Sequence, residues 1–171
     1  VVDAELAAFV ARLLEAPGRR LFKYRDEEGW HDLGARDVNH YLRKNLAVRY
    51  TAKDFRTWGG TLRLATVLAE LGPATSEREA KRNVVMAVRM VATELGNTPA
   101  VCRKSYVHPI VIARYLDAGD TIARGLARVA PQYGVARHHP EERALLRFLD
   151  RHFPERRRKP RPKPVEAAAA A

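Results

Sequence analysis

Lys53 and Arg56 stand three residues apart in the segment TAKDFRTWGGT (51–61), so on a helix they share one face. Their combined donors suit the two non-bridging oxygens of a single phosphate, and the planar fork of Arg56 can engage them in parallel. A second segment, LGNTPAVCRKSYVHP (95–109), ends a short basic stretch on Tyr106. A phenol with an ordinary pKa near ~10 is a weak nucleophile unless nearby cations stabilise the phenolate. Arg103 and Lys104 supply positive charge next to Tyr106. Spacing alone leaves plainer alternatives open: a solvated basic pair at 53 and 56, and a half-buried tyrosine that packs by its ring at 106.

Helices must carry both segments. Thr51, with Asp54 three residues on, resembles a capping box, and the helix it opens should run to about Leu71, weakened in its middle by Gly59 and Gly60. Ser76 and Glu79 repeat the pattern ahead of a helix with Val84, Val88, Val91 and Leu95 as its apolar stripe, ended by Gly96. Thr98-Pro99 pairs an N-cap with a proline at the first helical position, so a short helix should bring Val101 through Tyr106. His108-Pro109 interrupts it, and Pro109 opens a further helix to Asp117. Upstream, Leu6, Phe9, Val10, Leu13 and Leu14 have helical spacing over 3–15, and Pro17 and Gly18 end that helix. Leu21–Tyr24 reads as a short strand before a polar turn from Asp26 to Gly29, and Asp37–Leu46 as a helix. Two more helices fall near 121–130 and 140–151. The fold class is therefore mostly α, with at most a short strand pair near 21–33.

The chain's 171 residues suit one domain with a real core. Thirty-one Lys and Arg against twenty Asp and Glu give a net charge of +11, which favours a polyanionic partner through counterion release. Part of this charge lies towards the C-terminal end, on Arg151, Arg156, Arg157, Arg158, Lys159, Arg161 and Lys163, but the rest of the chain keeps a surplus. Residues 152–171 read as a basic, Pro- and Ala-rich disordered tail, and residues 1–151 as the folded part. One cysteine excludes a disulfide framework and a cysteine-rich zinc site. No apolar run is long enough to span a bilayer, and no signal peptide opens the chain, so the expected address is cytoplasmic.

The two segments together settle the matter further. TAKDFRTWGGT resembles the KxxR box of bacterial type IB DNA topoisomerases, and LGNTPAVCRKSYVHP resembles the stretch of those enzymes that bears the nucleophile. LFKYRDEEG (21–29) and DVNHYLRKNL (37–46) resemble two landmarks of the same family, so the likeness covers roughly residues 5–117 in order. It implies the helical catalytic core of the DNA breaking-rejoining fold, shared with tyrosine recombinases. It also implies relaxation of supercoiled duplex DNA by single-strand transesterification through a 3′-phosphotyrosyl link, with neither ATP, metal nor other cofactor. The expected form is a monomer acting on double-stranded DNA at the nucleoid.

Carried over by residue, the resemblance makes Tyr106 the nucleophile. Arg56 holds a non-bridging oxygen in the transition state, and Lys53 assists it. Asn97, nine residues before Tyr106, stands where poxviral and eukaryotic relatives carry His. Its amide can donate to phosphate but cannot exchange a proton, so it is expected to hold rather than to protonate; otherwise it simply helps to end a helix. Arg103 and Lys104 are expected to contact DNA. His108 is expected in the bend before Pro109, Cys102 as a small apolar filler, and Trp58 and Phe55 in the core.

The family's remaining site members, a first arginine and a general-acid lysine on a hairpin, have no counterpart here; Arg19, Arg20 and Lys23 match neither motif. The chain also opens on Val1 rather than Met, as a fragment or processed product would. A missing general acid costs about 10²–10⁴-fold in rate, so the isolated chain is expected to be nearly inactive. Two rival readings are a tyrosine recombinase, which normally carries His where Lys53 stands, and an inactive DNA-binding remnant. A helical interaction domain with no nucleic-acid partner is a third.

Overall fold

The structure, a computed structural model, describes residues 4–46, 49–127 and 139–152. The chain forms two compact units that divide between Ala52 and Lys53. The expected helical composition holds, with one two-stranded antiparallel sheet among the described residues.

In the first unit, α1 (Ala4–Glu15) precedes a hairpin of β1 (Lys23–Asp26) and β2 (Gly29–Asp32), then α2 (Ala35–Asn45). The register pairs Tyr24 with His31 and Asp26 with Gly29. The first strand starts two residues later than expected, and the turn tightens to Glu27-Glu28. Asp26 fixes that turn, accepting the Glu28 N–H at 2.9 Å, and His31 Nε2 lies 2.8 Å from the same carboxylate. Lys23, which matched no motif, has a structural task. Its side chain is buried, and Nζ donates to the carbonyls of Ala16 at 2.9 Å and Pro17 at 3.1 Å, just beyond the end of α1. A cation there satisfies carbonyls that the helix leaves without partners. α2 begins two residues earlier than expected, because Asp37 lies inside its first turn and accepts the Gly34 N–H at 2.8 Å. Its apolar side is only half-buried at Val38 and Leu42, and Tyr41 is exposed.

The second unit holds the core. α3 (Ala52–Leu71) runs unbroken through Gly59 and Gly60, immediately after Thr51. α4 (Glu77–Glu94) is capped by Ser76, whose hydroxyl accepts the Glu79 N–H at 3.2 Å. The Glu79 carboxylate turns back to Thr75, accepting its N–H at 2.7 Å, one residue further out than a capping box requires. α5 (Pro99–Ser105), α6 (Pro109–Ala118), α7 (Ala123–Leu126) and α8 (Pro140–His152) complete the unit. The helix expected near 121–130 is seen as α7, and 128–130 fall outside the described residues. So does the expected tail, apart from His152, which closes α8.

The core joins Leu64, Ala65, Val67 and Leu68 of α3 to the α4 stripe Val84, Val88 and Val91. Val111, Ile112 and Tyr115 of α6 and Leu145 and Phe148 of α8 close it. Tyr115 is fully buried, and its hydroxyl donates to the Gly72 carbonyl at 2.8 Å while accepting from Asn83 Nδ2 at 2.9 Å. That phenol ties α6 to α4 and to the end of α3. Trp58 packs against the core as expected and donates to Glu142 of α8 at 3.2 Å. Phe55 does not: it is exposed, because full burial along α3 begins only at Gly60. Among the described residues no helix is long and apolar enough to cross a membrane, and no cluster of His, Cys, Asp or Glu could hold a metal.

Candidate active site

The site lies within the second unit and is built from three backbone features. The first is the exposed start of α3. Lys53 and Arg56 occupy its first two turns, exposed, at the positive end of the helix dipole. The second is the end of α4. Gly96 adopts φ +64°, a conformation that glycine takes without a Cβ penalty. Gly96 N–H then bonds the Thr93 carbonyl at 3.1 Å, and Asn97 N–H bonds the Ala92 carbonyl at 2.8 Å. Such a Schellman ending turns the chain sharply and leaves the Leu95 carbonyl facing away from its own helix.

The third feature is the short α5. Thr98 caps it, accepting the Val101 N–H at 3.3 Å, and Pro99 fills its first position. Cys102 is fully buried beneath it, and burial raises its thiol pKa above the ordinary range, as suits a filler. Tyr106 ends the helix as its C-cap, half-buried, with its N–H on the Cys102 carbonyl at 2.9 Å. His108 sits in the bend as expected and caps α6, its Nδ1 accepting the Ile110 N–H at 3.3 Å.

Arg56, Asn97 and Tyr106 meet here. Arg56 Nη2 donates to the Leu95 carbonyl at 2.6 Å, and Asn97 Nδ2 donates to the same oxygen at 3.0 Å. The Arg56 guanidinium carbon lies 5.2 Å from the centre of the Tyr106 ring, within cation–π range. Among the described residues nothing hydrogen-bonds the Tyr106 hydroxyl, so it is available for chemistry. Lys53 stands one turn ahead of Arg56 without a described ion pair, and its side chain is not drawn into the cluster. Arg103 and Lys104 are exposed on α5; Arg103 lines a shallow groove with Val85, Val88, Arg89, Pro99 and Ala100.

A phenol with a guanidinium against its ring and two N–H donors converging beside it is equipped to attack a phosphorus centre and hold the oxygens that gain charge. The family whose model describes the catalytic core of eukaryotic DNA topoisomerase I matches residues 2–132. The chain belongs to that family. The match covers more than three quarters of the chain and includes the whole cluster around Tyr106. Within 114 aligned residues the chain is 33% identical to DNA topoisomerase 1B of Acanthamoeba polyphaga mimivirus, an alignment taking in 62% of this chain and 34% of the relative. The chain thus spans about a third of the length of that topoisomerase.

Spacing did not single out three residues that complete the site. Thr57, Gly60 and Thr61, all on α3, hold the backbone that follows α5. The Thr57 hydroxyl donates to the Lys53 carbonyl at 2.9 Å and lies 3.4 Å from the Ser105 carbonyl. Thr61 is buried; its hydroxyl donates to the Thr57 carbonyl at 2.7 Å and accepts the His108 N–H at 3.0 Å. Gly60 is buried against the Tyr106 carbonyl, where a Cβ would approach to 2.5 Å. Two glycines inside a helix, flanked by threonines four apart, were the available signal, but one of the glycines, Gly59, meets nothing within 4 Å.

Proposed function

We propose that the chain carries the nucleophile-bearing part of a type IB DNA topoisomerase of the bacterial branch, working as a monomer on duplex DNA at the nucleoid. Tyr106 Oη attacks a backbone phosphorus, and the bond from phosphorus to the 5′-oxygen breaks. A 3′-phosphotyrosyl link and a 5′-hydroxyl result, the phenolic proton passing to solvent and the leaving oxygen taking one up. Rotation of the freed end relaxes supercoils, and attack by the 5′-hydroxyl reverses each bond change. The energy of the phosphodiester stays in the phosphotyrosyl link, so no ATP is needed. Arg56 and Asn97 hold the non-bridging oxygens, Lys53 adds a second cation, and Arg103 and Lys104 engage flanking phosphates. Asn97 in place of His supports the bacterial branch.

The observation that carries this reading is the convergence of Arg56 and Asn97 on one oxygen, with the guanidinium against the Tyr106 ring. No residue of this cluster offers a proton to the leaving 5′-oxygen. A site limited to these groups cleaves ordinary DNA about 10²–10⁴-fold more slowly than one equipped with a general acid.

The decisive experiment offers the chain two suicide duplexes, one ordinary and one with a 5′-bridging sulfur, whose thiolate leaves without a proton. Denatured samples are examined for protein linked to the 3′ end. A link to the sulfur duplex that vanishes in Tyr106→Phe supports the assignment. DNA binding without a link on either duplex would leave only a non-catalytic DNA-binding module, the rival reading that the net charge of +11 favours.

A further inference from the structure

The Tyr106 side chain has no hydrogen bond to any described residue, so its position must come from the backbone that carries it. That backbone is the run 105–108, between a helix of seven residues and the next one. Short helices are marginal by themselves, and α5 cannot fix the angle at which its last residue projects. Three contacts with α3 do so. The Ser105 carbonyl faces the Thr57 hydroxyl, the Tyr106 carbonyl lies against Gly60, and the His108 N–H bonds the Thr61 hydroxyl. Thr57, Gly60 and Thr61 lie on the same face of α3 as Arg56 and Lys53, at helical spacings of three and four. One rigid helix thus holds both the arginine and the seat of the tyrosine.

We propose that Gly60 and Thr61, assisted by Thr57, are positioning residues that seat the 105–108 run and so set Tyr106 against Arg56. This rests on Tyr106 being the nucleophile. Gly60 acts by having no side chain. A Cβ at 2.5 Å from the Tyr106 carbonyl is half an ångström closer than real Cβ atoms come, and the obstructing atom is backbone, so the tyrosine itself must shift. Thr61 acts by its hydroxyl, which uses its donor on Thr57 and its acceptor on His108 and is left with no role beyond joining them. Valine has the shape of threonine without either bond, whereas serine keeps both.

A displacement of up to an ångström at a reacting group costs on the order of 10²-fold in rate. The test measures three quantities on Gly60→Ala, Thr61→Val, Thr61→Ser and Tyr106→Phe. These are single-turnover adduct formation on the 5′-sulfur duplex, affinity for an uncleavable duplex of the same sequence, and the ring-current shift of the Arg56 side-chain protons. Gly60→Ala and Thr61→Val should each form adduct about 10- to 10²-fold more slowly, with DNA affinity within about twofold of the parent and the ring-current shift reduced. Thr61→Ser should restore rate and shift together. The proposal is overturned if folded Gly60→Ala or Thr61→Val keeps the parental rate and shift. It is equally overturned if Thr61→Ser is as slow as Thr61→Val, because packing rather than the hydroxyl would then be what matters. If Gly60→Ala does not fold, the Val and Ser pair at 61 decides. If the parent forms no adduct, the assignment of Tyr106 as nucleophile fails, and the ring-current shifts still decide the seat.

Discussion

Replacing Arg56 by alanine should separate catalysis from stability more cleanly than any other change in the site. In the fold, Arg56 is exposed and makes one charge-assisted hydrogen bond, to the Leu95 carbonyl, plus a contact with the Tyr106 ring. Water can take over an exposed carbonyl, so the loss should cost no more than about 1 kcal/mol of stability. For a unit of this size that is a fall of about 4 °C in Tm at most. In the proposed transition state the same group faces developing negative charge on phosphate. Removing one such preorganised donor costs about 2.7–4 kcal/mol, or 10²–10³-fold. The assay is single-turnover adduct formation at saturating DNA, paired with thermal unfolding of each variant. Arg56→Lys should recover part of the loss, since an ammonium restores charge but cannot hold Leu95 and a phosphate oxygen with one planar fork. An Arg56→Ala chain that forms adduct within about threefold of the parent rate would refute the assignment, whatever its stability. A rate loss that merely tracked the unfolded fraction would refute it as well.

Other changes test the fold that supports the site. Tyr115→Phe leaves Asn83 and the Gly72 carbonyl without their shared partner in the core and should destabilise by about 1–3 kcal/mol in urea unfolding, with DNA affinity unchanged. Lys23→Met removes the buried cation from the end of α1 and should cost roughly 1–2 kcal/mol, seen as faster amide exchange in α1 while α4 is unaffected. Cys102 should resist a thiol reagent in the folded chain at pH 8 and react once unfolded; rapid labelling of the native chain would contradict its burial. Its folded pKa lies above the unfolded value, so above the ordinary thiol range the unfolded chain binds fewer protons than the native one. Stability from this group is therefore intact below that range and falls as pH rises through it, a slope that Cys102→Ala should remove.

Where the sequence was legible, a local rule with a strong physical basis was at work. Ser76, Thr98, Pro99, Gly96 and Pro109 are residues that helix ends require for backbone reasons, and the structure uses each of them at the end expected. The apolar stripe of α4 was equally readable, because period and burial coincide at Val84, Val88 and Val91. Boundaries failed where a side chain did something periodicity does not report. Asp37 serves inside a first turn rather than opening it, and the strand expected from Leu21 starts at Lys23, whose ammonium is committed to the end of α1. Phe55 failed for a different reason: its apolar character says that it favours burial, but not that full burial along α3 begins only at Gly60. Gly60 shows the limit most sharply. By propensity it is a weakness in a helix, and the Tyr106 carbonyl against it, with the Leu95 side chain beside that, explains why nothing larger fits.

Asn97 posed a choice between ending a helix and holding a phosphate, and the geometry is compatible with both. The turn that ends the helix is closed by the backbone of Asn97, through its N–H on the Ala92 carbonyl. The side chain remains, and one of its two N–H donors rests on the Leu95 carbonyl while the other is uncommitted. Arg56 likewise spends one of five N–H donors on that carbonyl. The Leu95 oxygen thus aligns both groups without exhausting either, so neither has to be reoriented from solvent when an anion arrives. Preorganisation of this kind is what makes donors effective in a transition state, since the cost of ordering them is met during folding. In the proposed reaction Gly96 would matter although it carries no functional group: its φ of +64° brings the chain back at the end of α4, and a residue with a Cβ there would resist the turn that puts Asn97 beside Arg56.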